Sequence, residues 1–194
     1  MSAIGEIPLI ETARLVLTIP AAGDAGRMLD YVLRNKEHLG PWEPIKTDEY
    51  YTLEHCSDRL SLAVREFEDG KSLRLILLNR GDQSGPVQGT CDFTNIVRGV
   101  FCAAHLGYGL DKDAEGKGLM YEALTAAIAY VFDTMNLHRV MANYIPTNER
   151  SGRLLRRLGF TVEGYGRDYI RIAGKWQDHI LTALINEHWR TESS

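Results

Sequence analysis

Residues 105–132 constrain the fold most. "HLGYGL" (105–110) has the length and composition of a strand, "EGKGLM" (115–120) brings two glycines and a lysine, and "YEALTAAIAYVF" (121–132) has helical spacing. Met120, Leu124, Ala127, Ile128, Val131 and Met135 recur at i, i+4, i+7, i+8, i+11 and i+15. That is one apolar stripe of a long helix, which must bury against a second layer. A strand feeding such a helix through a short glycine turn predicts helices laid on a sheet.

The flanking segments supply the rest of that sheet. "RLVLTI" (14–19) reads as a first strand, followed by a helix from about Gly23 to Lys36 and a loop with two prolines, "LGPWEPIKTDEYY" (39–51). "LEHCSDRLSLAVREFEDG" (53–70) is a helix closed by its glycine. Three strands follow, "SLRLILLN" (72–79), "VQGTCDFTNIV" (87–97) and "VFCAAHLGYGL" (100–110), with "RGDQSGP" and "RG" as turns. Beyond the long helix come a strand "HRVMANYI" (138–145), a capped helix "NERSGRLLRRLG" (148–159) and a hairpin (160–185) turning near "AGK". The expected fold is α/β (α+β): a mixed central sheet of about seven strands flanked by four helices, in a single domain over 1–194.

Bulk properties exclude several classes. Lys plus Arg (22) against Asp plus Glu (26) gives a formal charge of −4, so no nucleic-acid or membrane surface is implied, and specific DNA binding is not expected. Cys56, Cys91 and Cys102 are odd in number and widely spaced, which argues against a disulfide framework and a zinc site; half-buried reduced thiols and no metal are expected. The N-terminus lacks a basic segment and apolar run, and no stretch reaches the roughly 18 apolar residues of a membrane span. A cytoplasmic location is the expectation.

The glycine turn matches neither common phosphate motif. In G-x-x-x-x-G-K-[ST], Asp111 sits where the first glycine belongs and Gly118 where the hydroxyl belongs; in G-x-G-x-x-G, Tyr121 takes the third glycine position. The physics shared by both motifs survives: free N–H groups and the helix dipole at the start of a long helix face an anion. Either Gly116 and Gly118 cradle a pyrophosphate, or they only shape the turn. Downstream, Asn148 and Ser151 sit three apart at a helix start, where an N-cap and a first-turn surface residue are the plain alternative.

Taken jointly, "HLGYGL", "EGKG" and "NERS" (148–151) resemble the GCN5-related N-acetyltransferase (GNAT) family. "PWEP" (41–44), "FTNIVRG" (93–99), "LGYGL" (106–110), "GKGLMYEALTAAI" (116–128), "HRVMANYIPTNERSGRLLRRLGF" (138–160), "EGYGRDY" (163–169) and "GKWQDHILTAL" (174–184) are similar to its ribosomal-protein-alanine N-acetyltransferase branch. The resemblance implies acetyl transfer from acetyl-coenzyme A to the N-terminal alanine of a small-subunit ribosomal protein, with contact to the ribosome as a further implied partner. It places the cofactor on Tyr108, Gly109, Leu110, Glu115, Gly116, Lys117, Gly118, Leu119, Met120, Asn143, Asn148 and Ser151. Two departures stand out. Asp113 replaces the usual Arg or Gln, and Ala114-Glu115 an aromatic-Gln pair, so two acids lie close to the implied pyrophosphate and should weaken its binding.

An α-amine, with a reference pKa near 7.7–8.0 against about 10.4 for lysine, needs only a weak base. A backbone N–H near Tyr108–Leu110 would stabilise the oxyanion, and Ser151 would protonate the departing sulfur. His105 and Glu163 are the candidate bases, with Asp168 comparable. Trp42, Glu43, Asn95 and Arg98 are the candidate acceptor groove; Trp42 is equally a core anchor and Glu43 an ordinary exposed acid. Arg150, Arg153, Arg156 and Arg157 read as a solvated helix face, or as contacts to coenzyme A phosphate or ribosomal RNA. The same cofactor parts also suit a small-molecule amine acceptor, and the acids beside the turn keep a non-catalytic ribosome-assembly factor open.

Overall fold

The computed structural model describes residues 6–190; residues 1–5 and 191–194, and the readings that fall on them, lie outside it. In chain order the elements are β1 (Leu9–Glu11), β2 (Leu15–Thr18), α1 (Ala25–Arg34), α2 (Lys36–Leu39), α3 (Leu53–Glu68), β3 (Leu73–Asn79), β4 (Gly89–Val97), β5 (Ala103–Leu110), α4 (Leu119–Asp133), β6 (Arg139–Met141), α5 (Glu149–Arg157), β7 (Thr161–Ile172) and β8 (Lys175–Ile185). They form one sheet in the order β1-β2-β3-β4-β5-β6-β8-β7. Every pairing is antiparallel except β5 with β6.

The architecture is the expected mixed α/β one, with one strand and one helix more than anticipated. The added strand is the three-residue edge β1, and the added helix is the single turn α2. The strand read over 138–145 keeps only Arg139–Met141. The thiols are not half-buried: Cys56, Cys91 and Cys102 all lie in the core.

Alternation along the strands explains why the core has two parts. Leu75 and Leu77 of β3, Cys91 and Phe93 of β4, and Ala104 and Leu106 of β5 pack with Ala123, Leu124, Ala127 and Val131 of α4. The intervening Ile76 and Leu78, with Val87, meet Ala25, Met28 and Tyr31 of α1 and Cys56 and Leu60 of α3. All six residues of the predicted α4 stripe are buried.

The sheet opens in its middle. β5 and β6 pair only at Ala103↔Arg139, Ala104↔Val140 and His105↔Met141. Past Met141 the chain swings to β8, where Tyr144 and Ile180 exchange N–H···O bonds of 3.1 and 2.9 Å. β5 runs on to Leu110 held by β4 alone, so its other edge is released beside α5.

Candidate active site

The released edge carries a defined set of backbone groups. The Asp111 N–H donates to Gln88 O at 2.8 Å, and strand alternation then turns the N–H and C=O groups of Tyr108 and Leu110 toward the opening. Gly109 lies between them and faces β4. The Tyr108 side chain crosses under the opening to α5, where its hydroxyl lies 2.7 Å from Ser151 Oγ. Burial pushes the Tyr108 phenol up to about 12, partly offset by that hydrogen bond, so Tyr108 keeps its proton. Ser151 N–H donates to Asn148 Oδ1 at 3.1 Å, which makes Asn148 the N-cap of α5. Asn143 sits on the opposite bank, accepting the Thr182 N–H at 3.2 Å. The structure thus brings Tyr108, Ser151 and Asn148 together beside the opening, whereas the contacts of Asn143 are to Thr182 of β8 and Tyr169 of β7.

At the end of β5 the chain enters the glycine turn. Gly116 and Gly118 adopt φ of +72° and +73°, the left-handed region that favours glycine, and Gly118 is the N-cap of α4. With no side chain capping that helix, its first N–H groups face outward. Leu119 and Met120 are buried and anchor the helix start. The Lys117 side chain folds back to donate to Asp113 O at 2.7 Å, and its own carbonyl accepts from Arg14 at 2.9 Å.

The two suspect acids are accommodated. Asp113 is exposed, and Glu115 is ion-paired to Arg150 at 2.6 Å with His38 at 3.2 Å. A residue the sequence did not reveal, Asp111, is buried and bound by Arg34 and Asn35 while capping the turn through the Asp113 N–H. Burial raises its pKa, but hydrogen bonds from Asn35, the Asp113 N–H and Arg34 outweigh burial and leave it lowered. This network fixes the end of α1 to the glycine turn.

The face of β5 turned away from α4 carries His105, Gly107 and Gly109, which pair with Thr94, Asp92 and Thr90 of β4. Burial lowers the His105 pKa, so its ring is neutral near pH 7, and its Nδ1 is buried without a hydrogen-bond partner. On the same face of the sheet, over β3 and β4, opens a cavity of about 280 Å³ lined by Tyr31, Glu43, Tyr50, Arg59, Arg74 and Asp92 among others; His105 lies outside that lining. Burial pushes the Asp92 carboxyl up to about 6, against the lowering pull of Arg74 and Arg59, and Glu43 adds to the rise. No sequence signal marked Asp92.

Of the four groove candidates, only Glu43 lines this cavity. Its carbonyl accepts the Ala173 N–H at 2.9 Å, tying the 40–46 loop to the β7–β8 turn. Trp42 is 40% exposed and outside the cavity lining. Asn95 sits in a bulge of β4 at φ +51°, and Arg98 turns instead to the Met135 carbonyl beyond α4. The candidate base Glu163 is clamped by Arg139, both carboxylate oxygens at 2.8 Å. Asp168, exposed at φ +45°, donates its N–H to Asp178 at 2.9 Å.

Among the described residues no group of three or more His, Cys, Asp or Glu side chains is arranged to hold a metal, and no helix is long and apolar enough to cross a membrane.

These features have close parallels. The chain is 42% identical over 180 residues to the ribosomal protein uS5-alanine N-acetyltransferase of Escherichia coli, spanning 93% of this chain and 92% of that one. The crystal structure of the ribosomal-protein-S5-alanine acetyltransferase from Vibrio fischeri superposes with a TM-score of 0.90 at 36% identity, covering 95% of this chain and 100% of the other. Mycobacterium smegmatis RimJ in complex with CoA-disulfide superposes with a TM-score of 0.85 at 25% identity, covering 96% and 90%. The acetyltransferase (GNAT) domain itself matches residues 14–161, from β2 to the first residue of β7. A sheet opened beside a glycine turn, within a chain matched over that span, establishes that this protein belongs to the GNAT acetyltransferase family.

Proposed function

We propose that this protein transfers acetyl from acetyl-coenzyme A to the N-terminal alanine α-amine of a small-subunit ribosomal protein of the uS5 type. The observation carrying the chemistry is the Tyr108–Ser151 hydrogen bond across the opened β5 edge. The pyrophosphate rests on the N–H groups of Gly116, Gly118 and the first turn of α4, and the pantetheine lies along β5 at Tyr108–Leu110. Glu115, Leu119 and Met120 shape that turn, and Asn143 and Asn148 flank the pantetheine. The 42% identity over nearly the whole of both chains supports the uS5-type acceptor.

The amine approaches from the His105 face, and the sulfur departs toward α5. A Tyr108 phenol that keeps its proton donates to Ser151 Oγ, leaving the Ser151 hydrogen free for the sulfur. A backbone N–H on the released edge stabilises the oxyanion. Neutral His105 accepts from the incoming amine, whereas Glu163 stays with Arg139. An α-amine near pKa 8 requires far less assistance than a lysine.

Mass spectrometry of peptides beginning with Ala, Ser or Met, or carrying an internal Lys, tests this reading after incubation with protein and acetyl-coenzyme A. One acetyl group on the α-amine of the Ala peptide is the expected product. Acetylation of a small amine only, or none despite measured cofactor binding, would overturn it.

A further inference from the structure

Three polar groups on one face of the sheet surround a bare stretch of β5, and the chemistry above uses only one of them. Asp92 lies directly across from Gly107, and a Cβ built on Gly107 would meet nothing within 4 Å. Among the described residues the Asp92 carboxylate makes no hydrogen bond or ion pair, although it is largely enclosed. Tyr31 Oη is buried and stands over Gly109, 3.4 Å from where a Cβ there would lie, with the Thr90 side chain beside it. His105 Nδ1, two residues before Gly107, is also buried and unpaired. Unpaired polar groups enclosed on one face are costly, and an unpaired Asp92 carboxylate beside open backbone at Gly107 indicates a polar ligand.

Resting on the acetyltransferase reading, we propose that Asp92, with His105 beside it, receives the acceptor's N-terminal ammonium over Gly107, and that Asp92 takes its first proton. An ammonium offers three N–H donors, and the Asp92 carboxylate and the unpaired His105 Nδ1 are acceptors to either side of Gly107. Strands are spaced about 4.8 Å apart, so an amine above Gly107 lies one step from the released edge of β5. The charged groups facing Asp92 are Arg74 of β3, Arg59 of α3, Lys36 of α2, and Glu43 and Lys46 of the loop. Two of these cations are already engaged, Arg74 with Glu66 and Lys46 with Glu43, and none pairs the Asp92 carboxylate. The ammonium gives one proton to Asp92; the nitrogen lone pair forms the N–C bond. The C–S bond then breaks, and the second nitrogen proton is lost as the thiolate gains one through Ser151. Asp92 returns its proton to solvent.

Gly107→Ala and Asp92→Asn, assayed with the Ala-initiated peptide, test the proposal. For Gly107→Ala we expect unchanged melting and acetyl-coenzyme A affinity, with at least a tenfold rise in peptide KM. For Asp92→Asn we expect kcat to fall about 100-fold, the range of a lost general base, and loss of the acidic limb near pH 6 in the wild-type kcat/KM profile. Asp92→Glu should keep that limb. An active wild type whose two variants stay within threefold, acidic limb retained, overturns this proposal alone. An inactive wild type on every α-amine peptide overturns both readings.

Discussion

At the residue scale, Glu115 shows how a departure from a family pattern can be absorbed by a neighbour. Its carboxylate stands at the turn that would hold a pyrophosphate, where a bare negative charge repels the ligand. Arg150, contributed by α5, neutralises it at 2.6 Å with both side chains partly in solvent. Exposed pairs of this kind are worth about 0.2–1 kcal/mol and weaken with salt. Removing either partner should therefore shift coenzyme A affinity in opposite directions. Glu115→Gln should tighten the dissociation constant two- to fivefold, about 0.5–1 kcal/mol, and Arg150→Ala should weaken it by a similar factor. Isothermal titration at low ionic strength reads both, and equal affinities in the three proteins would mean that neither charge feels the phosphates. The arginine run was legible as a charged helix face, but its pairing with Glu115 depends on a contact between residues 35 positions apart in the chain. Asp92 was hidden differently. In "TCDFT" it alternates with core residues and reads as solvent-facing; only α1, α2, the 40–51 loop and α3, folded over it, turn that face into a cavity.

At the element scale, the glycine turn, the α4 stripe, the α5 cap and the closing hairpin were all legible, because each is encoded by local spacing. β1 and α2 were not, since three- and four-residue elements carry no period. "HRVMANYI" has the composition of an eight-residue strand, yet the sheet divides after its fourth residue, and no local propensity encodes that division. Arg98 and Asn95 were misplaced because a bulge between Thr94 and Val97 redirects the end of β4. The seating of α5 beside the opening has its own signature at Gly152, where an added Cβ would come within 2.7 Å of the Tyr144 ring. Helix propensity favours Ala over Gly by about 1 kcal/mol, whereas overpacking costs about 1–3 kcal/mol. Gly152→Ala should therefore lose about 1 kcal/mol net, roughly 2–4 °C in melting temperature. In a Tyr144→Leu background the same change should stabilise, and a double-mutant cycle by thermal denaturation would show it. Additive effects would place α5 outside contact with Tyr144.

At the scale of the whole molecule, the opened sheet divides the protein into unequal parts. β1–β5 with α1–α4 carry the turn and the cavity at Asp92, and β6–β8 with α5 carry Asn143, Asn148 and Ser151. Three parallel register pairs join β5 to β6, and the Tyr108–Ser151 hydrogen bond adds a bridge across the opening. A ligand lying along the released edge would act as a further strand between the two parts, so binding should stabilise the entire fold. At a coenzyme A concentration 100 times its dissociation constant the linkage is about 2.7 kcal/mol. For a chain of this size that corresponds to a rise of roughly 5–10 °C in melting temperature. Hydrogen exchange should slow at the Tyr108 and Leu110 amides, which face the opening, and at Gly116 and Gly118 in the turn. The Gly109 amide, already turned to β4, should change least. A melting rise without added protection at Tyr108 and Leu110 would mean that the cofactor stabilises the protein from outside the cleft, and the attack geometry derived from that edge would fall with it.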